Sequence, residues 1–130
     1  MCSYTNQEKV KILQAPILAY KVLLEAYGGI FSPFQFYPYT EYVGSHEIIE
    51  CKDKLEAIEV EGPRIKEYNY NVIHGFHLYL DIDRAKSLKR WNLSHIIYEC
   101  EIPEGTSCYI GWAGKEICVN RFRILREIGA

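Results

Sequence analysis

The stretch over residues 75–85, Gly-Phe-His-Leu-Tyr-Leu-Asp-Ile-Asp-Arg-Ala, constrains the fold most, because an apolar strand pattern leads directly into a helix start. Asp81 is suited to cap the first unpaired N–H groups of a helix. A common buried helix face would then be formed by residues three apart, namely Ala85, Leu88 and Trp91. The segment predicts a strand followed by one main helix over residues 81–91.

Other apolar runs have strand length and are separated by glycine and proline turns. Residues 17–24 predict a first strand, and Gly28-Gly29 would turn the chain after it. Residues 96–102 alternate so that Glu99 and Glu101 face outward. About seven short strands, one helix and no regular βαβ spacing predict an α+β fold with a mainly antiparallel sheet. We expect residues 1–16 to be an N-terminal arm and residues 17–130 to be a single α+β domain.

The charge balance excludes some classes of partner. Fifteen basic and seventeen acidic residues give a net charge of -2, so no overall field attracts the chain to nucleic acid or to an anionic membrane. The longest apolar runs are interrupted, as at Lys21, and are too short to span a bilayer. A charged start followed by a secretory apolar core is also missing. These features predict a cytoplasmic domain that does not bind membranes, and nucleic acid is not an expected partner.

The cysteines and histidines do not form a metal-binding pattern. The five cysteines are an odd number without the short spacing of zinc knuckles, so we expect free thiols and no disulfide. His74 and His77 are three residues apart in an extended segment, where side chains alternate between faces, and they would point in opposite directions. The sequence therefore predicts no metal site, and it contains no cofactor motif.

An aromatic ribbon, defined as residues 31–42, is the first candidate binding surface. It contains two prolines and reads as a loop or an edge ribbon rather than a central strand. Aromatic side chains give a large contact area at low entropic cost. The candidate binding residues of the ribbon are Phe34, Tyr37, Tyr39 and Tyr42. The alternative is that the phenylalanines belong to the core and only the tyrosines are exposed.

The last predicted strand carries the second candidate surface. Arg121, Arg123 and Arg126 recur there, and alternate residues of a strand share one face. Such a row could bind phosphate, and Arg121 and Arg123 are the candidate residues. The alternative is a solvated strand face.

A third candidate lies on the strand before the helix. His77 and Tyr79 share a strand face and could form an acid–base pair. A histidine in such a strand is also commonly a core residue that bonds to a backbone carbonyl.

Four short motifs resemble a group of small phage and bacterial proteins of unknown function. They are Ala19-Tyr20-Lys21-Val22, Ser32-Pro33-Phe34, Gly75-Phe76-His77 with Ala85, and Tyr98-Glu99-Cys100-Glu101. The resemblance covers most of the chain from residue 17 onward and implies a similar fold. It supplies no activity.

A second, weaker similarity is to the ADP-ribosyltransferases. In that family an early Arg or His binds the dinucleotide, a Gly-aromatic strand leads into a helix, and a late glutamate orients the ribose. Lys21, the strand over residues 75–79 and Glu116 occupy these places here in the same order. The resemblance implies NAD as cofactor and a catalytic set of Lys21, His77, Tyr79 and Glu116. Lys21 replaces the expected Arg or His, and the family's Ser-Thr-Ser segment is missing.

Two functions follow from these patterns. The first is a small binding module that contacts a protein or small ligand through the aromatic ribbon and a groove beside the strand over residues 75–79. Its motivation is a large aromatic surface without an assembled catalytic set. The alternative is an ADP-ribosyltransferase-like enzyme that uses NAD. In the alternating pattern, Glu116 is expected to be a solvent-facing residue with little effect on folding.

Overall fold

The computed structural model describes residues 3–33, 37–60, 69–89 and 94–129. Within these ranges the chain forms twelve strands, one α-helix and a short 3-10 helix over Trp112–Gly114. In chain order the elements are β1 (Ser3–Thr5), β2 (Lys11–Ile12), β3 (Ile17–Ala26), β4 (Gly29–Phe31), β5 (Ile48–Glu50), β6 (Glu56–Glu59), β7 (Tyr70–Ile73), β8 (Phe76–Tyr79), α1 (Ile82–Lys89), β9 (His95–Ile102), β10 (Ser107–Gly111), β11 (Glu116–Val119) and β12 (Arg121–Gly129).

The predicted α+β class is wrong, because the fold is built almost entirely from antiparallel sheet. Strands dominate the described ranges, and α1 contributes only 8 residues. The antiparallel character of the sheet is as expected. The helix does not form a layer of its own, since it covers only part of one sheet face. The protein is therefore a small sheet-rich domain.

The main sheet has the strand order β2-β10-β11-β8-β3-β9-β12-β5, and β4 pairs with β3 outside this path. Its centre is the β3–β9 pair, which runs in register from Ile17 opposite Ile102 to Leu24 opposite His95. These two strands confirm the predictions made for residues 17–24 and 96–102. The strands β10 and β11 form an antiparallel hairpin in the same sheet.

A second, three-stranded sheet has the order β1-β7-β6. Its strand β1 and the main-sheet strand β2 both lie within the segment that we expected to be an arm. Two polar side chains attach this segment to β10. The Thr5 hydroxyl donates to the Ile110 carbonyl at 2.6 Å, and the Gln7 side-chain oxygen accepts from the Ile110 N–H at 3.1 Å. These bonds satisfy backbone groups on β10 beyond its short pairing with β2.

The main sheet has two distinct faces, which we call the core face and the helix face. Residues opposite each other in an antiparallel pair share a face, and successive residues alternate. The core face carries the largest buried cluster, including Ala19, Leu23, Leu78, Ile117, Cys100, Phe122 and Ile124. The helix face carries Val22, Tyr79 and Ile97, against which Ala85 and Leu88 of α1 pack.

The start of α1 forms as the sequence predicts. The Asp81 side-chain oxygen Oδ1 accepts from the Asp83 N–H at 2.9 Å, so the predicted N-cap is confirmed. Ala85 and Leu88 share the buried face, also as predicted. The helix is described as far as Lys89, and Trp91 lies outside the described residues.

The hairpin between β3 and β4 turns one residue earlier than predicted. Tyr27 and Gly28 form the turn with φ values of 51° and 76°, and Gly29 already pairs with Ala26. Gly29 is held in β4 by close packing, because a Cβ there would lie 2.8 Å from the Thr40 hydroxyl oxygen. Positive φ at both turn positions is typical of a type I′ hairpin, in which Asn or Gly is usual and Tyr is not.

One cysteine differs from the expectation of free thiols. Cys118 of β11 is disulfide-bonded. Cys51, Cys100 and Cys108 are free. The prediction that the chain contains no disulfide is therefore wrong. In the described ranges, no helix has the length and apolar content required to span a membrane.

Candidate functional site

The helix face carries a polar cluster between α1 and the small sheet. Tyr79 lies opposite both Tyr20 and Glu116, and His77 lies opposite Cys118, so these side chains share one face. On one side of the cluster the face is covered by α1. On the other side, Val72 of the small sheet packs with Tyr109 and Cys118. His77 and Glu116 therefore lie at the boundary between two covering elements.

Glu116 is the buried centre of this cluster, with only 7% of its surface exposed. Its Oε1 is hydrogen-bonded to Nε2 of His77, and its Oε2 lies 3.3 Å from Nε of Arg84 on α1. Burial by itself would raise the pKa of Glu116, but the hydrogen bonds and charges of His77 and Arg84 outweigh it and lower the pKa below its ordinary value. The carboxylate is thus held ionised, contrary to our expectation of a solvated strand residue.

Tyr79 forms the wall of the cluster next to the histidine. Its ring meets the His77 ring edge-on at 4.8 Å between centroids. Burial, followed by the negative charge of Glu116, raises the pKa of Tyr79 to about 12. The phenol therefore stays protonated at neutral pH and supplies a rigid packing surface rather than a base.

A second ion pair closes the cluster at the helix start. Lys115, which precedes β11, places its Nζ 3.8 Å from Oδ2 of Asp81, the residue that caps α1. The Leu80 N–H also donates to the Lys115 carbonyl at 2.7 Å. These contacts fix the end of β8 against the start of β11. The cluster is consequently anchored at the end of the ladder where Tyr79 lies opposite Glu116.

Lys21 is not part of this cluster, although the ADP-ribosyltransferase similarity implies that it is. It lies opposite Tyr98 on the core face, whereas its neighbour Tyr20 lies opposite Tyr79 on the helix face. Its ammonium donates to the backbone carbonyl of His77 at 2.8 Å and lies 5.7 Å from the ring centroids of Tyr39 and Phe122. Lys21 therefore cannot bind a pyrophosphate held beside Glu116.

The aromatic ribbon covers the core face rather than the helix face. Tyr39 is buried against Phe122, with ring centroids 6.1 Å apart, and Tyr42 is half-buried on the same cluster. Tyr37 is 42% exposed but packs on Tyr39 at 5.0 Å. Phe34 lies outside the described residues. Of the described candidates, Tyr37 offers the most surface to a ligand, and the ribbon does not adjoin the polar cluster.

The arginines of β12 have partners of their own. Arg121 donates to the Thr106 hydroxyl at 3.1 Å and to the Glu104 carbonyl at 2.8 Å. Nε of Arg123 lies 3.2 Å from Oε1 of Glu101 in an ion pair that lacks hydrogen-bond geometry. In contrast, Nε of Arg126 donates a hydrogen bond to Oε1 of Glu99 at 3.1 Å. Arg123 and Arg126 are therefore paired with carboxylates, whereas the two partners of Arg121 are uncharged oxygens.

The two neighbouring histidines contact different carboxylates. His74 lies 3.7 Å from Asp53, whereas His77 is bound to Glu116. In the described part of the chain, no three His, Cys, Asp or Glu side chains are grouped so that they could hold a metal ion.

Comparison with known proteins adds no relative: no family model matches the sequence, and no curated protein or solved structure is similar to the chain. The interpretation of the site therefore depends on its own geometry.

Arg84 is the member of the cluster that sequence reasoning missed. It lies next to Ala85, which marks the buried face of α1, and three residues after the capping Asp81. A long cationic side chain at the start of a helix that packs back on its preceding strand can reach the carboxylates of that sheet face. The position of Arg84 at the start of the helix was the signal that could have indicated its role. The carboxylate that it contacts is that of Glu116.

Proposed function

We propose that the protein is a binding module whose ligand site is the groove beside β8 on the helix face, with His77 as the group that contacts the ligand. The observation that carries the proposal is the hydrogen-bonded chain from Arg84 through Glu116 to His77. Such a chain fixes both the orientation of the imidazole and the position of its proton before any ligand arrives.

The chain determines which hydrogen bond His77 can offer. Because the ionised Glu116 accepts a bond from Nε2, the neutral form of the ring carries its proton there and leaves a lone pair on Nδ1. In the protonated form, whose charge helps to lower the pKa of Glu116, both ring nitrogens are donors. Nδ1 has no hydrogen-bond partner among the described residues, and 28% of the His77 side chain is exposed. Nδ1 therefore accepts from a ligand hydroxyl or amide N–H when the ring is neutral and donates to a ligand oxygen when it is protonated, so a ligand that carries hydroxyl or amide groups suits both forms.

The adjoining residues suit a small polar ligand with a flat surface. Tyr79 provides an aromatic wall beside the imidazole, and Arg84, one-third exposed, provides positive charge at the rim. The same imidazole–carboxylate pair could act as a general base, which makes catalysis the alternative to binding. Binding is the function that the geometry supports best, because the cluster supplies an oriented contact group, an aromatic wall and a cation for a ligand.

A thermal-shift screen with hydroxyl- and amide-bearing small molecules, with NAD included, tests the proposal. A ligand at a free concentration of 100 times its Kd adds about 2.7 kcal/mol to the free energy of unfolding, which raises Tm by several degrees. We expect hits among hydrogen-bond donors, and we expect His77→Gln to abolish the shift. His74→Asn is the matched control, because His74 is a nearby exposed histidine with φ of 57°, which asparagine tolerates.

Three outcomes would contradict the proposal. Hits that survive His77→Gln would place the ligand elsewhere, and equal loss in both variants would show that no specific site was measured. If the wild type turns over NAD and Glu116→Gln does not, the function is catalysis and not binding alone.

A further inference from the structure

We propose that Lys21 is a positioning residue for His77 and acts from the opposite face of the sheet through the His77 backbone carbonyl. The inference rests on the proposed function, because the position of the imidazole matters only if it contacts a ligand. It assigns a role in the site to a residue whose own side chain never reaches the helix face.

The first step is the weak pairing between β3 and β8. These strands are registered at a single position, Tyr20 opposite Tyr79, whereas β8 pairs with β11 along its whole length. Two residues before Tyr79, the His77 carbonyl accepts from Nζ of Lys21 at 2.8 Å. The ammonium thus supplies the hydrogen bond that a backbone N–H supplies where strands pair fully.

The second step is the rigidity of the Lys21 side chain. Only 8% of the residue is exposed, and Nζ lies 5.7 Å from the centroids of both the Tyr39 and Phe122 rings. Cation–π contacts and the bond to the carbonyl offset part of the cost of burying the charge. A buried ammonium that is hydrogen-bonded to a carbonyl has little freedom to move. It therefore fixes the position of the peptide group that it binds.

The third step connects the carbonyl to the imidazole. The His77 backbone lies between the Lys21 ammonium on the core face and the Glu116 carboxylate on the helix face. The charged and titratable groups facing the imidazole are Glu116, Tyr79 and, through Glu116, Arg84; those facing Lys21 are Cys100, Tyr98 and Tyr39. If the His77 peptide group shifts relative to β3, we expect the hydrogen bond between His77 and Glu116 to change.

The test uses NMR spectra of the ligand-free protein, so its result does not depend on whether a ligand is ever found. In the wild type, the neutral His77 ring is expected to be protonated at Nε2 only. Lys21→Met should remove this preference and give a mixed tautomer population. Lys21→Arg, which retains a cationic donor, should restore most of it.

Leu23→Ala is the matched control, since Leu23 is the next buried residue on the same face of β3. It should lower stability without changing the His77 ring spectrum. If Leu23→Ala changes the spectrum as much as Lys21→Met does, or if Lys21→Met leaves it unchanged, the positioning role is overturned.

A measurement on the wild type covers the case in which Lys21→Met does not fold. Burial lowers the pKa of Lys21 to about 8, so the ammonium titrates within a range in which the protein can be studied. The carbonyl carbon resonance of His77 should shift with the same midpoint as Nζ of Lys21. A His77 carbonyl that does not respond to this titration would refute the proposal.

Discussion

Oε2 of Glu116 lies 3.3 Å from Nε of Arg84, so one buried carboxylate joins β11 to the only α-helix of the described chain. The same carboxylate holds His77. A side chain that satisfies two partners inside the protein contributes to folding as well as to the site. Stability and site geometry are therefore coupled at Glu116.

Replacing Glu116 by glutamine should cost about 1–3 kcal/mol at pH 7, because Arg84 and His77 lose their charged partner. The lowered pKa of Glu116 also makes its contribution pH-dependent: it is present above the unfolded-state value and is lost as the pH falls through the folded-state value. Chemical denaturation between pH 3 and pH 7 should show a smaller acid-side loss in Glu116→Gln than in the wild type.

Glu101→Gln is the control for this experiment, since Glu101 forms the more exposed ion pair with Arg123. It should cost no more than about 1 kcal/mol. Equal losses in the two variants would show that the contacts of Glu116 contribute no more to stability than an exposed ion pair does.

The burial of Lys21 predicts an alkaline rise in stability. Its pKa is about 8 in the folded protein against an ordinary value of 10.5, so between these values the unfolded chain binds a proton that the folded protein has released. Stability should therefore increase by about 3 kcal/mol from pH 8 to pH 10.5 through this group. Burial raises the pKa of the Cys100 thiol and of the Tyr79 phenol, so these groups lower stability over part of the same range in both proteins. Urea denaturation should therefore show the wild type gaining stability relative to Lys21→Met as the pH rises from 8 to 10.5. Parallel pH profiles of the two proteins would contradict the assignment.

Tyr27 should be replaceable with a gain in stability. It occupies a left-handed turn position at φ of 51° with 93% of its surface exposed, so its side chain contributes little packing there. Asparagine adopts this conformation more readily, and Tyr27→Asn should stabilise the protein by about 0.5–1 kcal/mol. Thermal unfolding measures the effect. A decrease in Tm would show that the exposed ring makes contacts that outweigh the strain.

Gly75 should tolerate no side chain. Its φ is 149°, and a Cβ there would clash with Cδ1 of Leu55 and lie 2.9 Å from the Val119 carbonyl oxygen. Gly75→Ala should therefore destabilise by about 2–4 kcal/mol through overpacking and backbone strain. Gly44→Ala, at a φ of 84° with nothing within 4 Å, is the control for a side chain added at a positive φ without a clash. The two variants should differ clearly in their denaturation midpoints.

Local features could be predicted from the sequence, but which residues share a face of the sheet could not. The N-cap at Asp81 and the central strand pair follow from patterns within a few residues, and the structure contains both. The predicted α+β class was wrong because several strands of two to four residues lie in turns and polar segments and pair with partners that are distant in the sequence. Strands so short carry no periodicity to detect.

The candidate site could be predicted only in part for the same reason. Residue alternation placed His77 with Tyr79, but which face receives Lys21 and Glu116 depends on the register of separate strand pairs. A register is determined by long-range packing and not by local sequence. The core position of Tyr39 likewise depends on a ring partner far along the chain, Phe122.

The most direct test of the account is to map ligand-induced NMR shifts onto the backbone. The probes are small hydroxyl- and amide-bearing molecules selected by thermal shift, added to the wild type and to His77→Gln. We predict shifts concentrated at His77, Glu116 and Arg84, with their loss in the variant. Shifts centred on Tyr37 of the aromatic ribbon, or shifts at the cluster that persist in His77→Gln, would contradict a ligand site built around His77.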